Sequence, residues 1–159
     1  MTLHLHKHDI PDGLDFGASV AVDTETQGLS LVRDKLCLVQ LSAGDGDAHI
    51  VQMDRDTYDA PNLKALIANP SVEKIFHFAR FDVAMLKRDL GVTVTPVFCT
   101  KIASGLTRTY TDSHGLKNLC KELLGIDLSK HQQSSDWAAD NLTEAQLEYA
   151  ASDVLYLHQ

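Results

Sequence analysis

The sequence predicts an α/β domain built on one mixed sheet, with three antiparallel strands first, βαβ crossovers after them, and helices flanking the whole. Three observations carry this. Val20-Ala21-Val22 is an apolar run of the kind found in buried strands. Two further apolar runs are joined by Gly44-Asp45-Gly46-Asp47, a hairpin turn. Downstream, short β-prone segments alternate with apolar stripes at helical spacing.

Taken in order, the strands fall at 19–24, 36–41 and 48–53. Pro61 opens a short helix through Ala68, and Asn69-Pro70 closes it. Ile75-Phe76-His77 reads as a short strand, and Ala79, Val83, Leu86 and Leu90 form a helical stripe that stops at Gly91. Val97-Phe98-Cys99 is a fifth strand, followed by helices near 100–107 and 114–124. Thr143 and Gln146 form a capping box that starts a last helix toward Leu157. His4, His6 and His8 alternate at the N-terminus; the pattern favours the exposed edge of a terminal strand over a metal site. The layout is of the ribonuclease H-like kind.

At 159 residues, with 44% hydrophobic and 23% charged positions, the chain has the composition of a single globular domain. No apolar stretch approaches a membrane span, and MTLHLHKHD lacks a signal-peptide core. Cys37, Cys99 and Cys120 are widely spaced in apolar segments and form no CxxC pair, so they read as buried, reduced thiols of a cytoplasmic protein. The net charge of −8 is uneven. Residues 1–60 hold four Lys/Arg against eleven Asp/Glu, whereas residues 101–131 hold five against three. An acidic remainder disfavours tracking a long duplex and tolerates a short or single strand better.

Asp23 and Glu25 lie two apart at the end of the first strand, so both carboxylates project to one side. Two like charges that close, partly dehydrated, call for a divalent cation between them. Asp82 lies where a strand passes into a helix; a helix-N-terminal Asp favoured by the dipole is the alternative there. Asp153 sits among Leu147, Ala150, Ala151, Val154 and Leu155, with Tyr149 one turn earlier on the same face. A core Tyr beside a solvated Asp is the alternative for that pair. Together the four acids make an oxygen-rich site suited to Mg²⁺ or Mn²⁺.

DTET, HFARFD and YAASD stand in the order and context of the three motifs of the DEDD 3′–5′ exonucleases, which this chain resembles. Tyr149 at the Y-x3-D position matches the Tyr variety, and SKHQQSSDWAADNLTEAQLEYAASDVLYLH resembles ribonuclease D. VFCTKIASGLTRTYTDSHGLKNLCKELL with SSDWAA is more similar still to the nano-RNase C group of bacterial oligoribonucleases. Phe78 stands where ribonuclease D commonly has Asn, and Asp140-Asn141 where it often has Arg-Pro; both depart toward nano-RNase C.

The resemblance implies a two-metal 3′–5′ exoribonuclease releasing 5′-nucleoside monophosphates from short RNA, dinucleotides included. By the same resemblance Asp23 bridges both ions, Glu25 and Asp153 complete one, Asp82 holds the other, and Tyr149 orients the attacking water. Transfer-RNA trimming, single-stranded DNA degradation and a silent nucleic-acid-binding module on the same fold are the competing readings. Leu29 resembles the family's base-wedging leucine, with a turn-flanking core Leu as the alternative. Phe78 or Phe81 offers a stacking face, packing being favoured for Phe81. Lys101, Arg108 and Tyr110 are candidate phosphate contacts, although single surface cations are commonly just solvated. Gln133, Ser135 and Trp137 lie in the family's SDW region, and His77 is either a hydrogen-bonding group near the site or a satisfied core His. The resemblance further implies a ring-like homo-octamer and a longer protein, of which residues 1–159 are the exonuclease domain.

Overall fold

The computed structural model describes residues 2–129 and 131–159. Its sheet has six strands: β1 (Thr2–Lys7), β2 (Ser19–Thr26), β3 (Leu36–Ser42), β4 (Asp47–Gln52), β5 (Glu73–Phe76) and β6 (Val97–Cys99). They lie in the order β1-β4-β3-β2-β5-β6. β3 runs antiparallel to both β2 and β4, while β5 and β6 continue parallel to β2. This is the expected arrangement of three antiparallel strands followed by crossovers. β1 adds a parallel edge strand beside β4.

The helices are α1 (Pro61–Ala68), α2 (Arg80–Met85), α3 (Thr100–Thr107), α4 (Leu116–Leu119) and α5 (Glu144–Leu155). α2 and α4 each widen into a π turn, Leu86–Leu90 and Cys120–Leu124, which closes on a glycine: Gly91 at φ 71° and Gly125 at φ 72°. That left-handed conformation is where glycine carries no Cβ penalty. The expected capping box is present: Gln146 N donates to Thr143 Oγ1 at 3.2 Å, and Thr143 N donates to Gln146 Oε1 at 3.0 Å.

Strand alternation sorts the core into two faces. Val20 and Val22 of β2 point to one side and pack with Leu63, Ile67, Phe76, Met85 and Leu86 from the α1 and α2 side. Ala21 points to the other, packing with Ala151, Val154 and Leu155 of α5. Leu38 and Ile50 meet Trp137 and Ala150 on that same α5 face.

Three expectations shift. β5 ends at Phe76, so His77 belongs to the turn; Phe78 at φ 68° cannot continue an extended strand. Cys99 is half-buried, while Cys37 and Cys120 are buried as expected, and all three are free. His8 lies beyond β1 at φ 72°, off the face that His4 and His6 share. Those two stack with His49 of β4, the three ring planes lying within 13° of parallel. Lone pairs in parallel planes do not converge on one ion, which leaves the strand-edge reading. No described helix is long and apolar enough to cross a membrane.

Candidate active site

β2 delivers Asp23 and Glu25 toward α5, and α5 delivers Asp153 back toward them. One carboxylate oxygen from each of these three lies within 4.8 Å of the others. A β-bulge between Glu25 and Thr26 ends the regular pairing with β3 at this point, a device that commonly re-aims side chains beside active sites. Asp82 arrives from the opposite face, on the first turn of α2. Its Oδ1 accepts a hydrogen bond from Thr24 Oγ1 at 2.5 Å. The four acids thus gather at the end of β2 from both sides of the sheet.

Burial, and then repulsion from Asp82, Asp153 and Glu25, drives Asp23 far above the usual carboxylate range. Burial, and then repulsion from Asp153 and Asp82, raises Glu25 to about 9. Burial lifts Asp153 to about 7, opposed by the phenol of Tyr149. Burial lifts Asp82 to about 6, opposed by the hydroxyl of Thr24. Protons or a cation must neutralise such a group at pH 7, and four hard oxygen donors fit Mg²⁺ or Mn²⁺. Burial and the surrounding acids also push the Tyr149 phenol well above its ordinary value. Trp137 stands behind it, ring centroids 5.9 Å apart.

The acids floor a cleft of about 580 Å³. Leu29, His77, Phe78, Lys101, Gln133 and Tyr149 line it as well. Leu29 is 86% exposed, which removes the core-Leu alternative. Its loop is tied down by Arg88, which donates to the carbonyls of Leu31 and Asp34 at 2.6 Å each. Phe78 is exposed in a left-handed conformation that Asn adopts more readily, and Lys101 Nζ sits 3.8 Å from its ring centroid. His77 accepts or donates a 2.9 Å hydrogen bond with Thr100 Oγ1. Burial, then the Lys101 charge, lowers it to about 4, so it is neutral at pH 7. Phe81 does both things foreseen for it, lining the cleft and packing on the core.

Three candidates lie elsewhere. Arg108 is buried outside the cleft, donating to Ser104 Oγ and the Ser113 carbonyl and paired with Glu122. Tyr110 donates to the same Glu122 carboxylate at 2.6 Å. With their polar atoms so committed, neither is placed to contact a phosphate at the acids. Trp137 is buried beneath Tyr149, not in the cleft wall. Conversely, Thr24, Lys117 and Ser129 line the cleft without having been singled out. Lys117 lay within the one positive segment; Thr24 shows itself only as a polar residue in the alternating series Val20, Val22, Thr24.

Fold and site together define a domain of ribonuclease H-like architecture, with its acids arranged in the DEDD manner. The chain belongs to the 3′–5′ exonuclease family, whose model matches residues 6–159. It is 36% identical over 138 residues to ribonuclease D of Acidiphilium cryptum, an alignment covering 87% of this chain and 35% of that protein. The chain therefore spans about a third of the length of the curated relatives it matches. Among solved structures it resembles Brucella melitensis NrnC bound to pGG, with 57% identity, a TM-score of 0.95, and 99% of this chain and 77% of that one covered. A Mg²⁺-bound structure of the same protein is 55% identical, with a TM-score of 0.94, and covers the same shares. Escherichia coli RNase D is more distant at 30% identity and a TM-score of 0.76, covering 89% of this chain and 37% of that one.

Proposed function

We propose that this chain is a 3′–5′ exoribonuclease degrading short single-stranded RNA, dinucleotides included, from a free 3′ end to 5′-nucleoside monophosphates. The observation that carries the proposal is the meeting of four carboxylates at one strand end, each raised by burial, in a cleft that also holds Tyr149. A scaffold that merely bound nucleic acid would have no use for such a cluster.

Two ions, Mg²⁺ or Mn²⁺, are the proposed cofactors, which Asp23, Glu25, Asp82 and Asp153 would hold. When bound, such ions supply the charge that activates a water and stabilises the entering and leaving oxygens. The protein's own residues do the positioning. Tyr149 keeps its proton, because burial and the surrounding acids raise its pKa, so its role is to orient the attacking water and not to act as a base. Leu29 and Phe78 present apolar faces to the terminal bases. Lys101 and Lys117 are the cations for phosphate, with Gln133 and neutral His77 as polar contacts on the cleft wall.

Two lysines can neutralise few phosphates, and an overall charge of −8 repels the rest of a long strand. Short substrates follow, and the pGG complex of the Brucella relative supports that reading. The three free cysteines suit a reducing cytoplasm. We also propose a homo-oligomer, an octamer by family resemblance.

A length series of 3′-accessible RNA and DNA, from two to about twenty nucleotides with Mg²⁺ or Mn²⁺, tests the proposal. Strong preference for dinucleotides of RNA is the expected result. Flat length dependence would mean a general exonuclease, equal rates on DNA would remove the sugar preference, and binding without turnover would mean a silent module. Asp82→Ala is expected to abolish turnover; hydrolysis at the parental rate would overturn the site assignment.

A further inference from the structure

The residue between the two acids of β2 faces the other way. Asp23 and Glu25 project to the α5 side, and alternation sends Thr24 to the α2 side, in line with Val20 and Val22. Among buried aliphatic neighbours a hydroxyl is costly unless it is paired. Thr24 is buried, and its partner is Asp82 Oδ1 at 2.5 Å. Among the described residues, Asp82 has no other side-chain hydrogen-bond partner.

We propose that Thr24 is a positioning residue of the nuclease: its hydroxyl holds one oxygen of Asp82 so that the other faces the cation. This rests on the reading of Asp82 as a metal ligand. The backbone amides of Asp82 and Thr24 also act on that carboxylate, but the hydroxyl is its side-chain partner. α2 is only six residues long, and its N-cap, Ala79, offers no side-chain cap. The chain enters the helix through Phe78 in a left-handed conformation, a sharp turn that fixes the backbone path but not the rotamer of Asp82. A carboxylate with one oxygen pinned by a charge-assisted hydrogen bond can no longer rotate freely. Thr24 shares its strand with Asp23 and Glu25, so the same bond sets Asp82 in register with the three-acid cluster. The contact links α2 directly to the strand that carries two of the acids.

The test compares Thr24→Val, which keeps the shape and deletes the hydroxyl, with Thr24→Ser, which keeps the hydroxyl; Asp82→Asn runs beside them. Two readouts are taken: the rise in melting temperature with added Mg²⁺ or Mn²⁺, and kcat and KM on a short oligonucleotide across metal concentrations. For Thr24→Val the metal midpoint is expected to rise about tenfold or more, as for loss of a group that orients a ligand, with kcat falling and KM little changed. Thr24→Ser is expected to keep parental values. If Thr24→Val melts too low to assay, Thr24→Ala, without the β-branch, is measured in its place. Parental metal midpoint and kcat in the variant lacking the hydroxyl, with only the melting temperature altered, would overturn the proposal and leave Thr24 a packing residue. If Asp82→Asn also leaves both readouts unchanged, the reading of Asp82 as a ligand falls with it; if Asp82→Asn is impaired and Thr24→Val is not, only the role of Thr24 falls.

Discussion

Glu25 is raised to about 9 and Asp153 to about 7, chiefly because burial disfavours the charged form and neighbouring carboxylates add repulsion. The unfolded chain holds the same groups near 4. A carboxyl whose pKa is raised on folding stabilises the native state fully below its unfolded pKa and loses that contribution as pH rises through the folded value. The metal-free protein should therefore lose melting temperature as pH rises above about 4, the unfolded value, the loss being complete for Asp82 near 6, for Asp153 near 7 and for Glu25 near 9. Added Mg²⁺ should flatten the curve, because the cation favours the ionised form. Scanning fluorimetry in chelator and in Mg²⁺ measures both; identical pH profiles in the two would mean that these acids do not bind the ion.

At the scale of elements, α1 shows how a helix borrows its cap. Ala60 has no hydrogen-bonding side chain to offer, and Asp9, far upstream, supplies the cap: Asn62 N donates to Oδ2 and Leu63 N to Oδ1, both at 2.8 Å. Asp9→Ala should cost about 1–2 kcal/mol, the usual loss for an N-cap, read as a lower urea midpoint with kcat unchanged. The sequence announces this helix through Pro61 but not its cap, because the cap is a tertiary contact. The same divide runs through the molecule. Strand alternation, the GDGD turn and the Thr143–Gln146 box are local signals, and the elements they mark are present. Lys74 is not legible in that way: its fully buried ammonium donates to the carbonyls of Asn69, Val72 and Thr95 at 2.6, 2.6 and 2.7 Å. At the site, the acids and Tyr149 are readable because their motifs are contiguous. Arg108 misleads because its charge is consumed by Glu122 inside the same positive segment. Thr24 is overlooked because its meaning depends on which helix covers the far face of the sheet.

At the scale of the whole molecule, α3 turns apolar side chains outward. Ile102 and Leu106, one turn apart, are 63% and 75% exposed, on the helix that directly follows the edge strand β6. Scattered exposed leucines are ordinary, but a helical stripe beside an unpaired strand edge is the kind of surface that a second copy covers. Burying each such side chain recovers about 1.5–3 kcal/mol, enough in a repeated contact to offset the repulsion between copies that each carry −8. The assembly proposed above should therefore depend on this face. Light scattering is expected to return a multiple of 17.5 kDa for the parent chain and a single copy for Ile102→Lys with Leu106→Lys. The Mg²⁺-dependent rise in melting temperature should survive in that variant, because neither position lines the acidic cleft. A parent chain that scatters as a single copy would remove the oligomer from the proposal, and an assembly that persists in the double variant would move its interface off α3.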